Sequence, residues 1–228
     1  MDWIDLAVAR GRKTLSEDES RQVLEGYGVP LVESFQVSSL DEAVARAAEL
    51  GYPVVLKGSG SRLAHKTESG VVRLGLRDAA ELEQAYREIE SRAGDRLEAI
   101  LVQRMIRSER ELVAGMSRDP QFGPCVMFGL GGIFTEVLRD VVFRVAPLQR
   151  RDAEEMMQEI RGAPLLGPFR GQPAVDRERL ADLLVGIGRL GLEQARVAEV
   201  DVNPILIDGA RPVAVDALVV LSEETTSA

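Results

Sequence analysis

The sequence predicts an α+β protein. Three observations carry that reading. Several helices announce their first turns with capping signals, short apolar runs lie between those helices, and in the second half strands dominate before and after two further helices.

Ser16-x-x-Glu19, Ser39-x-x-Glu42 and Asp78-x-x-Glu81 each set an oxygen acceptor three residues ahead of a glutamate. That pairing satisfies the free backbone donors of a helix start. The first of these helices runs to Gly26 or Gly28, the second ends at Gly51, and the third reaches about Ala93. β-rich segments fall at 31–36, 53–57, 71–76, 98–105 and 110–116. Beyond them come a strand at 123–129, a glycine run, and a β segment at 141–145 that stops at Pro147. Helices are expected at about 151–160 and 176–192, separated by a Gly/Pro loop from Gly162 to Pro173. The chain closes on β segments 197–207 and 212–220 and a polar tail, Ser222 to Ala228, expected to fray. Polar interruptions near 106–118 break the apolar pattern and divide the chain into an N-terminal lobe, 1–106, and a C-terminal lobe, 107–228.

The 228 residues are 45% hydrophobic and 29% charged, with a net charge of -9. An acidic surface argues against nucleic acid as a main partner, since phosphate neutralisation needs a basic one. It leaves room for a nucleotide, whose phosphates a few lysines in a pocket can hold. The single cysteine, Cys125, permits no internal disulfide; in Pro124-Cys-Val-Met-Phe128 it reads as core filler of a strand. No apolar run approaches the roughly 20 residues that span a bilayer. Acidic residues stand where a signal peptide wants positive charge, so a cytoplasmic protein with no membrane partner is expected.

The run Pro53-Val-Val-Leu-Lys57-Gly-Ser-Gly60 is an apolar strand that ends in a lysine and small residues. Burying an unpaired ammonium is costly, so Lys57 should meet an anion, a carboxylate or a phosphate. Gly58 and Gly60 would let the backbone approach that anion. The loop continues to His65-Lys66-Thr67, and His65 is the only histidine in the chain. A neutral imidazole can attack a phosphoryl group, and Lys66 beside it favours that neutral form and could neutralise the transferring oxygens. The plainer alternative is a histidine that satisfies backbone groups in a loop. Gly60-x-x-x-x-His65-Lys66-Thr67 is also one substitution from a P-loop. A P-loop needs a following helix, however, and here Val71 to Leu76 reads as a strand.

Near the C-terminus, Glu199-Val-Asp201-Val-Asn203-Pro-Ile-Leu-Ile-Asp208-Gly-Ala-Arg-Pro212-Val-Ala-Val-Asp216 reads as a β-hairpin. If the turn is a four-residue loop ending at Arg211, facing residue numbers sum to 419 and Asn203 opposes Asp216. If it is Asp208-Gly209 alone, the sum is 417 and Asp201 opposes Asp216. In both registers Asp201, Asn203 and Asp216 share a face. Two carboxylates and an amide oxygen suit Mg²⁺, which takes few protein oxygens and completes its shell with water and phosphate. The alternative is a solvated polar face. The run Phe128-Gly-Leu-Gly131-Gly132 could offer backbone N–H groups to an anion, or be only a tight turn; Arg139, Asp140 and Arg144 could line the same place.

These elements resemble the ATP-grasp domain of the ADP-forming acyl-CoA synthetases, specifically the β-subunits of ADP-forming acetate–CoA ligase. The likeness covers roughly residues 14–220. It rests on Tyr27-Gly-Val-Pro30, Ser38-Ser-Leu-Asp-Glu-Ala43, Gly51-Tyr-Pro-Val-Val-Leu-Lys57, His65-Lys66, Arg118-Asp-Pro-Gln-Phe-Gly-Pro124, Phe128-Gly-Leu-Gly-Gly-Ile133 and Asp201-Val-Asn-Pro204. It implies an ATP-grasp fold of two α/β lobes with the nucleotide, ATP or ADP, bound in the cleft between them. Lys57 would contact the α/β-phosphates. The strand 102–106, with Gln103, Arg104 and Met105, would meet adenine, and Glu111 would hold the ribose. Gly58, Gly131, Gly132 and Arg144 complete the nucleotide site in this reading. Asn203 and Asp216, with Asp201 assisting, would bind Mg²⁺. His65 would carry the phosphoryl group between substrate and ADP, with Lys66 beside it. The family usually has Gly-Gly where Gly70-Val71 stands, and aspartate where Glu68 stands. A CoA-binding domain and a second histidine are absent from the sequence, so the resemblance also implies a CoA-binding α-subunit as partner. Two other functions fit the same residues: a regulatory nucleotide-binding module, or a carboxylate–amine ligase of the same fold.

Overall fold

The computed structural model describes residues 3–60, 70–132 and 139–222. Among them the chain runs α1 (Trp3–Ala9), α2 (Glu17–Gly26), β1 (Ser34–Val37), α3 (Leu40–Leu50), β2 (Val54–Ser59), β3 (Val72–Leu76), α4 (Ala79–Ala93) and β4 (Ala99–Arg104). It continues through β5 (Glu111–Asp119), β6 (Gly123–Leu130), β7 (Val141–Val145), α5 (Arg150–Glu159), α6 (Arg177–Glu193), β8 (Val197–Asp208), β9 (Arg211–Ala214) and β10 (Leu218–Leu221). No helix among the described residues is long and apolar enough to cross a membrane.

Two compact units result. One holds Ser16–Asp18 and Val32–Ile106; the other holds the chain up to Leu15, Glu19–Leu31 and everything from Arg107 onward. Most of the first thirty residues belong with the later unit rather than with the residues that follow them. The reason is packing. Ile4, Ala7, Leu15, Leu24 and Val29 sit in the same apolar core as β5, β6 and β8, and Thr14 bridges Val220 on β10.

In the first unit the strands order as β1-β4-β2-β3, every neighbour antiparallel. Two helices start where their caps predict. The Ser39 hydroxyl accepts the Glu42 N–H at 3.2 Å and the Asp78 carboxylate accepts the Glu81 N–H at 2.9 Å. The partner glutamates reach one residue further back than a capping box requires, taking the N–H groups of Ser38 and Arg77. Ala43 and Ala47 of α3, with Leu82, Ala85, Tyr86 and Ile89 of α4, pack on Val54, Leu56, Ile100 and Val102. Strand alternation sends Val55, Lys57, Leu101 and Gln103 to the opposite face, and all four are buried there.

In the second unit the sheet runs β10-β8-β5-β6-β7, with β9 also paired to β8. Leu112, Ala114 and Met116 of β5 and Val126, Phe128 and Leu130 of β6 face the core with Met156, Met157, Leu183, Leu184 and Ile187 of α5 and α6. Cys125 alternates with Val126 and so lies half-buried on the outer face, opposite Ser117 and Val145. It is not core filler as its apolar neighbours implied. The hairpin register sums to 419, from Ile205↔Ala214 to Asp208↔Arg211. The turn that produces it is shorter than the sequence reading required, because Asp208 and Arg211 pair and leave Gly209-Ala210 as the loop. β10 keeps the same sum, with Leu218↔Asp201 and Val219↔Val200.

Candidate functional site

In the first unit the strand β2 is buried along its whole length, and Lys57 is 5% exposed. The anion that meets its ammonium is a carboxylate. Nζ lies 3.0 Å from Glu17 Oε1, and the Glu17 side chain is fully buried. Lys57 pairs with Val72 on one side and Leu101 on the other. Gln103, 2% exposed, shares its face two pairs along β4, opposite Val55. Arg104 closes the ladder opposite Val54, and its N–H goes to Glu33 O at 3.0 Å. Met105 follows, half-buried, with its sulfur 3.8 Å from a Cβ built on Gly75. One lysine and the end of β4 are thus presented on a single sheet face.

The two glycines after Lys57 serve packing. A Cβ on Gly58 would meet Ile89 Cγ2 and Leu97 Cδ1 at 3.1 Å, and its N–H is given to Val71 O at 2.8 Å. A Cβ on Gly60 would lie 2.2 Å from Arg96 O. Close approach of helix and backbone therefore explains both, with no need of an anion. His65 and Lys66 lie outside the described residues. The strand expected after the loop is present as β3, which is what a P-loop reading could not accommodate.

In the second unit the outer sheet face carries the acidic groups. Asp201 sits opposite Gly115 and Leu218, and Glu111 opposite Leu206. The pairing of β5 with β8 shifts by one residue between Leu112 and Ala114. That bulge falls at Asn203-Pro204, where proline cannot donate to the ladder. Asn203 is exposed, and Asp201 and Asp216 are half-buried. Burial first, then the charges of Glu199 and Asp216, push the Asp201 carboxyl up to about 6. Among the described residues no cluster of three His, Cys, Asp or Glu forms a metal centre. The donor set is instead two carboxylates and an amide, and the strain of like charge at Asp201 is what a divalent cation would relieve. These residues fit Mg²⁺.

At the end of β6, Gly131 gives its N–H to Glu111 O at 2.8 Å, and Gly132 turns at φ 63 beside the Glu111 carboxylate. The N–H of Gly131 is thus committed to the β5 backbone. Arg144 is also committed: it pairs with Glu159 of α5, which holds its guanidinium above the ordinary value. Asp140 closes the start of the next loop, accepting the Arg161 and Gly162 N–H groups at 2.7 Å. One residue escaped the sequence reading. Arg110 is 2% exposed and donates to Pro173 O at 3.0 Å, Gly209 O at 2.9 Å, and Leu165 O and Gly167 O at 3.4 Å.

Residues 6–221 match the ATP-grasp domain family. The chain is 42% identical to the acetate–CoA ligase [ADP-forming] I subunit beta of Pyrococcus furiosus, over 96% of each chain. The chain belongs to the ATP-grasp β-subunits of the ADP-forming acetate–CoA ligases. Two solved structures from Ca. Korarchaeum cryptofilum, both of its dinucleotide forming acetyl-coenzyme A synthetase 1, agree. One, in complex with coenzyme A, Ca-AMPCP and HgCl+, matches with a TM-score of 0.92 and 42% identity, covering 97% of this chain and 99% of that one. The other, with coenzyme A and Mg-AMPPCP and with its phosphohistidine segment pointing towards the nucleotide binding site, matches at 0.85 with the same identity and coverage. A second residue that the local sequence could not reveal is Glu17. It stands forty residues from Lys57, and only the fold brings the two together.

Proposed function

We propose that this chain is the nucleotide-binding, phosphoryl-transferring β-subunit of an ADP-forming acyl-CoA ligase acting on acetate. The observation that carries the proposal is its end-to-end likeness to a β-subunit of that activity, 42% identical over 96% of both chains. The geometry supports it from both units: a buried lysine on one sheet face, and two carboxylates with an amide on the other sheet.

Lys57 takes oxygens of the nucleotide phosphates, and the backbone after Gln103, through Arg104 and Met105, meets the base. Glu111 holds the ribose, and Gly132 leaves room for its carboxylate. Asn203 and Asp216, with Asp201, would hold Mg²⁺, which when bound would neutralise phosphate oxygens. His65 is the acceptor. Its ring nitrogen bonds to the terminal phosphorus of ATP as the bond to the ADP oxygen breaks, and the reverse step returns the group to ADP. Lys66 offsets charge on the transferring oxygens. A CoA-binding α-subunit supplies the acyl chemistry.

The test is labelling with γ-labelled ATP. The chain should acquire acid-labile, base-stable phosphate, and His65→Ala should acquire none. A regulatory module would take up no label, and a carboxylate–amine ligase would pass the acyl group of an acyl phosphate to an amine and release free phosphate, regardless of His65. Alone, with acetate, CoA and MgATP, the chain should not sustain acetyl-CoA formation.

A further inference from the structure

We propose that Glu17 is a positioning residue for Lys57, holding the ammonium where it can grip the nucleotide phosphates. The inference rests on the phosphate role proposed above for Lys57.

Three observations support it. The pair is close and dry, Nζ to Oε1 being 3.0 Å with side-chain exposures of 7% and 0%. Such a pair is a weak source of stability, since apolar side chains of similar size would do as well or better in its place. Its presence in an otherwise apolar strand therefore asks for another purpose. A lysine also ends a flexible four-carbon stem and has no geometry of its own. A charge-assisted bond to Glu17 gives Nζ the fixed direction that the stem alone does not supply. Glu17 is well placed to serve as the anchor, since it is 2% exposed and its side chain is fully buried against Lys57. Lys57 is held on the opposite side by its ladders to β3 and β4.

A double-mutant cycle on MgADP affinity tests this, using the full chain and calorimetric titration, with a thermal melt of every variant. Glu17→Gln should weaken MgADP binding about tenfold when Lys57 is present and leave it unchanged in a Lys57→Met background. Equal losses in both backgrounds would mean that Glu17 acts only on folding, and the proposal would fall. Unchanged or tighter binding by Glu17→Gln would overturn it as well. Should Glu17→Gln not fold, Glu17→Asp keeps the charge but withdraws it by one methylene. It should weaken binding several-fold, and wild-type affinity there would overturn the proposal. If instead Lys57→Met alone binds MgADP like the wild type, the phosphate role of Lys57 fails first, and that failure is distinct from failure of the Glu17 coupling.

Discussion

The Glu111 carboxylate stands 2.6 Å from the point where a Cβ on Gly132 would lie, and Gly132 holds φ at +63. Glycine is needed there for two independent reasons, the backbone angle and the room for Glu111. Gly132→Ala should cost about 1–2 kcal/mol of stability from the angle alone. It should also push Glu111 aside and weaken MgADP binding about tenfold, read by titration calorimetry. Loss of stability without loss of affinity would remove Glu111 from the nucleotide site.

Asp201 predicts how pH and Mg²⁺ act together. Its folded value, about 6, lies above the ordinary 3.8, raised by burial and then by Glu199 and Asp216. The folded state therefore binds a proton that the unfolded chain releases between those values. Its contribution to stability is present at low pH and is lost as pH rises through about 6. After solvent screening the effect amounts to about 1–2 kcal/mol. Asp201→Asn should flatten that part of the pH–stability curve and raise metal-free stability near neutral pH. MgCl2 should raise the melting temperature of the wild type more at about pH 7.5 than at about pH 5, and much less in Asp201→Asn. An equal rise in both proteins at both pH values would place the cation elsewhere.

Arg110 ties the loop after α5 to the turn of the hairpin, with burial lowering its guanidinium below the ordinary value. Arg110→Met removes every one of those donors and the four backbone contacts they make, so a loss of about 2–3 kcal/mol is expected in urea denaturation. Arg110→Lys should recover little of it, because an ammonium cannot fork to carbonyls on separate segments. Hydrogen exchange should quicken at residues 163–175 in both variants. Unchanged exchange there would mean that the loop is held by its own packing.

What the sequence made legible was whatever is local. The caps at Ser39 and Asp78 and the helices they open lie where their spacing puts them, because an N-cap and its donor are three residues apart. The hairpin pattern placed Asp201 and Asn203 on the outer face for the same reason, since alternation is a property of neighbours. The turn was misjudged in length because Asp208 and Arg211 can either flank a turn or close the last pair. Cys125 was misplaced because β6 is apolar on both faces, so alternation in Pro-Cys-Val-Met-Phe leaves no polar mark. Distant partners were out of reach altogether. Nothing near Gly58 announces Ile89 or Leu97, nothing near Arg144 announces Glu159, and nothing near Lys57 announces Glu17. Motif spacing identified the residue types of the candidate site, while tertiary packing decided which of them are already engaged.

The extra residue that β8 accommodates at Asn203-Pro204 makes this strand intolerant of changes in length. Side chains alternate, so dropping or adding one position upstream would exchange its inward and outward sets, driving Glu199 and Asp201 into oil and Val200 and Val202 into water. Point replacements can accumulate along the strand over evolutionary time, but an indel there cannot. An additional amino acid disturbs neither face only at Gly209-Ala210, where the backbone reverses, and there it must still leave a carbonyl for Arg110.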